Sequence, residues 1–164
     1  RFIQLYWDLS REEAVSTRKK IVVGYASAYG HTRRMAELIV EGVKEKSSAD
    51  VVLIDAGTAT ESEIKEAVSS FDALIIGSPT INADAVFPIW RVLESLSAIT
   101  AKGKVAAVFG NFGWSGEATA LLEERLEKMR LVVAHPAVKV RFGLSREDEE
   151  RCRNLGSSIA EAVS

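Results

Sequence analysis

The chain has 164 residues, 47% of them hydrophobic and 27% charged, with a formal net charge of -2. That is room for one domain with a real core and not for two comfortable ones. The near-neutral balance argues against a nucleic-acid binder, which carries a strong basic excess, and no apolar run approaches the roughly 20 residues needed to span a bilayer.

The sequence opens on Arg1 rather than Met and reads as a piece of something longer, the alternative being a processed N-terminus. Arg1 to Leu9 has neither a long apolar stretch nor a small-residue cleavage site, so no signal peptide is expected. Phe2, Leu5, Tyr6 and Leu9 fit a short helical face, and Arg11 to Lys20 is polar and charged, as in a linker. Residues 1–19 are therefore expected to be a tail or linker, and residues 20–164 the domain.

From Lys20 onward strands and helices alternate. Ile21 to Ala26 is a short, mainly apolar run, the mark of a strand buried on both faces. Met35, Leu38, Ile39 and Val43 follow at helical spacing. Val51 to Ile54 predicts a second strand. Thr60 with Glu63 three residues on is a capping box that starts a second helix. Ala73 to Ile76 predicts strand three, and Val86, Ile89, Trp90 and Leu93 give a third helix one apolar face. Val105 to Phe109 predicts strand four. Ala118, Leu121, Leu122 and Met129 line a fourth helix, with Arg125 at its edge. Leu131 to Ala134 and Val138 to Phe142 form a fifth strand region broken by Pro136. Ser145 caps a last helix whose first turn carries Glu147, Asp148 and Glu149, where acids complement the helix dipole. Cys152, the single cysteine, falls on that helix's apolar stripe with Leu155, Ile159 and Val163, which marks it as core. One cysteine allows no intrachain disulfide, in keeping with a reducing, cytoplasmic compartment.

Five apolar strands alternating with helices imply an α/β doubly wound sandwich, a five-stranded parallel sheet with helices on both faces. The common five-stranded order is 2-1-3-4-5, the flavodoxin-like arrangement, and its ligands sit at the carboxyl ends of the strands beside the switch point. Three loops reach that edge.

The first loop is Ser27, Ala28, Tyr29, Gly30, His31 and Thr32. It offers two hydroxyls, a tight turn at Gly30 and the N–H groups of a helix start, which together suit one monophosphate. It is neither a P-loop nor a dinucleotide G-x-G-x-x-G; the alternative is an ordinary polar turn. The second loop is Gly77 to Asn82, where Pro79 stiffens the chain and Thr80, Ile81 and Asn82 could line a polar chain or a heteroaromatic ring. The alternative is a turn using Pro and Asn for geometry alone. The third loop runs from Gly110 to Gly116. Its glycines let backbone approach a flat ligand, and the aromatics Phe112 and Trp114 among Asn111, Gly113 and Gly116 suit stacking on a planar ring. An aromatic plug over the sheet edge is the alternative. A phosphate, a polar chain and an aromatic ring are the three parts of FMN, whose redox chemistry a protein tunes through backbone contacts to the ring.

These residues resemble the flavodoxin family, and within it the flavodoxin domain of flavo-diiron proteins (A-type flavoproteins). The resemblance covers about Lys20 to Val163. It rests on Tyr25 to Thr32, Gly77 to Asn82, Phe109 to Glu117 and Val138 to Arg141, with Gly-Trp-Ser-Gly-Glu at 113–117 as the best discriminator. Phe2 to Leu9 resembles the tail that joins a metallo-β-lactamase-like diiron domain to its flavodoxin domain. Ordinary flavodoxins carry Thr where Tyr29 stands and Asn where His31 stands, which leaves open whether the His31 side chain reaches the phosphate or solvent.

The resemblance implies an electron carrier rather than an enzyme in its own right, without catalytic residues. Its FMN would take electrons from rubredoxin or a flavin reductase and pass them to a diiron centre that reduces oxygen or nitric oxide. In the family the flavin of one subunit faces the diiron site of another in a head-to-tail homodimer. His31 and His135 are the only histidines, so no diiron ligand cluster is expected in this chain. A stand-alone NAD(P)H:quinone reductase or a flavodoxin electron carrier on the same fold is the alternative. A receiver-type regulatory domain needs acids around the end of strand one, and Ile21 to Ser27 has none. Arg33, Arg34 and Arg91 are either solvated helix residues or a basic rim that steers an acidic partner.

Overall fold

A computed structural model describes residues 18–164; the expected tail over residues 1–19 lies almost wholly outside the described residues. The elements are β1 (Lys20–Tyr25), α1 (His31–Lys46), β2 (Asp50–Asp55), α2 (Glu61–Ala67), β3 (Ala73–Ile81), β4 (Asp84–Ala85), α3 (Phe87–Glu94), α4 (Ala98–Ala101), β5 (Val105–Phe112), α5 (Glu117–Lys128), β6 (Val132–Val133), β7 (Val138–Arg141) and α6 (Arg146–Val163).

The sheet has the expected order. β2, β1, β3 and β5 pair in parallel, and the fifth position is shared by β6 beside the start of β5 and β7 beside its end. Pro136 lies in the gap between them, as its lack of an N–H requires. Alternate strand residues face two cores. Val22, Leu74, Ile76 and Val108 pack with Ile64 of α2, Ile89 of α3 and Leu122 of α5. Ile21, Val23, Ile75 and Phe109 pack with Met35, Leu38 and Ile39 of α1 and Cys152, Leu155 and Ile159 of α6.

α1 and α6 press together where both lack a side chain. A Cβ on Gly42 would overlap the carbonyl of Arg153, and one on Gly156 the carbonyl of Ile39. Ser157 Oγ donates to Gly42 O at 3.1 Å across the same crossing. Both predicted capping boxes are present, Thr60 with Glu63 and Ser145 with Asp148. Cys152 is fully buried, and burial pushes its thiol up to about 12.

Two strands are longer than their local sequence predicts. The third was expected to end at Ile76 and the fourth at Phe109, whereas β3 continues to Ile81 and β5 to Phe112. Gly77, Ser78 and Pro79 stay in the ladder because Phe109, Gly110 and Asn111 pair with them. Pairing between strands far apart in sequence overrides the turn-forming habit of Gly and Pro. A two-residue turn at Asn82 (φ 53) and Ala83 (φ 61) then folds β4 back on β3 antiparallel. Two left-handed residues are the pattern of a type I′ hairpin, and alanine takes it less readily than asparagine or glycine.

Candidate functional site

The carboxyl ends of β1, β3, β5 and β7 bring all three predicted segments to one edge of the sheet. α1 begins there, and its N-cap conformation sets it apart from the other described helices, although α3 and α4 likewise lack a side-chain cap and first-turn acids. Gly30 is its N-cap in the left-handed conformation (φ 91), no side chain caps it, and its first turn holds no acid. Ser27 Oγ accepts the Gly30 N–H at 3.0 Å, which closes the turn. A Cβ on Gly30 would meet nothing within 4 Å, so this backbone faces open space. The N–H groups that open a helix need a partner from outside it, and an anion is the partner the helix dipole favours. By contrast α2 and α6 are closed by capping boxes with acids in their first turns. Tyr29 stands 89% exposed above α1, and Thr32 is buried in the first turn.

The second segment is a strand and a hairpin rather than a loop. Pro79 is buried in the ladder opposite Asn111. Ser78 Oγ accepts the Val86 N–H at 3.0 Å and donates to Pro79 O. Thr80 Oγ1 accepts the Ala118 N–H at 3.1 Å, so it caps the start of α5. Ile81 and Asn82 are exposed at the hairpin tip.

The third segment is tied down on all sides. Asn111 Nδ2 donates to Val140 O at 3.0 Å and Phe142 O at 2.6 Å. Phe112 is half-buried under Lys139, whose Nζ lies 5.6 Å from the ring centroid. Arg141 Nε donates to Gly113 O at 3.3 Å. A hydrogen bond from Ser115, then one from its own backbone N–H, holds the Glu117 carboxyl below the usual carboxylate range, with Lys139 adding to the effect. In this anchored loop Trp114 is 95% exposed. A rigid loop that displays one large aromatic side chain presents a ready stacking surface.

Each arginine of the possible rim has partners in the chain. Arg33 Nε donates to Tyr25 Oη at 3.2 Å, and its guanidinium lies 3.9 Å from Asp55. Arg34 meets Glu149 at 3.5 Å and Glu41 at 3.8 Å. Arg91 donates to Ala59 O and lies over Phe87.

Two contributors, Phe142 and Gly143, had no signal in the sequence, and the candidate Thr80 has a capping bond that the sequence does not announce. Phe142 adopts φ 59 and is 59% exposed, Gly143 sits beside His31, and Thr80 caps a helix. None of these follows from residue type or spacing. Away from this edge, a groove of about 650 Å³ beside β6 is lined by Glu123, Glu127, Leu131 and His135 among others. Among the described residues no cluster of three His, Cys, Asp or Glu could hold a metal, and no helix is long and apolar enough to cross a membrane.

Residues 23–156 match the flavodoxin family. The chain is 37% identical over 161 residues to the flavo-diiron protein FprA2 of Clostridium acetobutylicum, covering 98% of this chain and 40% of that protein. Its fold superposes on rubredoxin oxygen:oxidoreductase of Desulfovibrio gigas with a TM-score of 0.81 at 30% identity, covering 88% of this chain and 36% of that one. It superposes on a flavodoxin from the domain Archaea with a TM-score of 0.76 at 33% identity, covering 88% of this chain and 98% of that one. The chain thus spans about two fifths of the length of the flavo-diiron relatives and nearly all of the free flavodoxin.

Proposed function

Because this chain belongs to the flavodoxin family, we propose that it is an FMN-binding electron-transfer domain. We place it in a flavo-diiron protein, where it passes electrons from rubredoxin or a flavin reductase to a diiron centre. The observation that carries this is the uncapped, acid-free start of α1 at the same sheet edge as the displayed ring of Trp114. The first suits a phosphate dianion, and the second suits a planar heterocycle.

The residues present fit FMN. Backbone N–H groups at His31 to Arg33 would hold the phosphate, with the Gly30 N–H bound to Ser27 Oγ fixing the turn and the helix dipole favouring the dianion. Tyr29 and Trp114 supply aromatic faces for the ring. Ile81, Asn82 and Gly113 line the edge between these groups. Thr80 and Asn111 also hold the walls, since Thr80 Oγ1 accepts the Ala118 N–H and Asn111 Nδ2 donates to the carbonyls of β7. The bound flavin supplies transfer of one or two electrons. The chain's share is to bind it, orient it and leave an edge open to a partner.

The similarity to a rubredoxin oxygen:oxidoreductase supports rubredoxin as the donor, and the flavo-diiron relatives support a diiron domain as the acceptor. Residues 1–19 would then be the linker from that domain and residues 20–164 the flavin domain. A head-to-tail homodimer would bring flavin and diiron site together in the cytoplasm. A free flavodoxin-type carrier is a second reading, favoured by the near-complete match to an archaeal flavodoxin. Mixing the FMN-loaded chain anaerobically with reduced rubredoxin tests the electron-transfer role. Fast bleaching of the flavin band is expected, and no bleaching on the time scale of seconds would refute rubredoxin as donor.

A further inference from the structure

The end of β7 carries an unusual segment. Phe142 takes a left-handed conformation (φ 59), which a bulky residue rarely adopts without constraint. Three contacts impose it. Asn111 Nδ2 donates to both Val140 O and Phe142 O, the latter at 2.6 Å. Phe142 N donates to Phe112 O at 2.9 Å. The Arg141 guanidinium lies 5.2 Å from the Phe142 ring centroid while its Nε holds Gly113 O. The Phe142 ring therefore lies against Gly113, where a Cβ would come within 3.2 Å of its Cε1.

The next residue, Gly143, points the consequence toward α1. A Cβ built there has one neighbour within 4 Å, His31 Cε1 at 3.8 Å. His31 is the first residue of the uncapped helix. A single clamp on Phe142 thus lies between the Gly113 loop on one side and the start of α1 on the other. The strand position of Asn111 makes the clamp possible, since Asn111 pairs with Val140 and projects its amide toward the chain leaving β7.

Building on the FMN reading above, we propose that Asn111 is a positioning residue: by holding Phe142 left-handed it sets Gly143 against His31 and shapes the phosphate end of the flavin site. Its amide makes no contact with the flavin in this role, and it acts through the backbone of residues 142–143.

The test compares FMN with riboflavin, which lacks the phosphate, in binding titrations on the full 164-residue chain. Wild type is expected to prefer FMN. Asn111→Ala is expected to weaken FMN by about tenfold while riboflavin stays within about twofold, so the preference collapses. In a Phe142→Gly background glycine takes φ 59 without cost, and there Asn111→Ala is expected to leave the FMN preference intact. This background also keeps the test open if the single variant does not fold. An unchanged preference in Asn111→Ala, equal weakening of both flavins, or the same loss with Phe142→Gly present would each overturn the proposal while sparing the FMN reading. Wild type that binds neither flavin would overturn both.

Discussion

Thr80 Oγ1 accepts the Ala118 N–H at 3.1 Å, which joins the end of β3 to the start of α5 across 38 residues of chain. The bond satisfies a donor that the helix itself cannot satisfy. It also locks the hairpin at Asn82 to the loop that displays Trp114. Thr80→Val keeps the shape but removes the acceptor and leaves a part-buried N–H unmatched. A loss of about 1–2 kcal/mol is expected in urea unfolding, with Thr80→Ser retaining most of the stability. Equal stability of the Val and Ser variants would show that the cap contributes nothing.

The α1–α6 crossing has no room for a methyl group. Gly42→Ala and Gly156→Ala each drive a Cβ into a backbone carbonyl, which cannot move as a flexible side chain can. A loss of roughly 3 kcal/mol or more is expected for each by chemical denaturation. A loss under about 1 kcal/mol would mean that the helices separate at little cost.

Cys152 sets a pH expectation. Its thiol is raised by burial from an ordinary 9.0 to about 12. A group whose folded value is raised favours the fold fully below its unfolded value and loses that contribution as pH climbs toward the folded one. Stability should therefore fall between about pH 9 and 12 in wild type, and less steeply in Cys152→Ala. At pH 8 the native thiol should react slowly with a thiol reagent and quickly once unfolded. Rapid native reaction would contradict the burial.

Trp114 is offered to solvent by a loop in which its neighbours are anchored. Its fluorescence should be quenched when FMN binds, and Trp114→Ala should weaken FMN by about tenfold, with Trp114→Phe in between. Unchanged affinity and unchanged emission would remove Trp114 from the site.

Much of the fold was legible because buried parallel strands are apolar runs and helix starts carry their own chemistry, as at Thr60 and Ser145. What local sequence did not reveal depends on partners far along the chain. Ser78 and Pro79 read as a turn, yet Gly110 and Asn111 hold them in the sheet. Asn111 and Thr80 read as ligand donors, and the bonds that also make them struts have no local signal. Arg33 and Arg34 read as a possible rim, but Tyr25, Asp55, Glu41 and Glu149 lie within reach of them. The turn at the start of α1 was the most legible part of this edge, because the Ser27–Gly30 bond and the helix start are local to Ser27–Thr32.

Titration of the purified chain with FMN, followed by quenching of flavin fluorescence and by the visible spectrum, tests the central claim most directly. Saturation at one FMN per chain with a Kd of about 1 μM or tighter is expected, along with a perturbed flavin band. Absence of saturable binding, or equal affinity for FMN and riboflavin, would contradict a flavin site anchored at the start of α1.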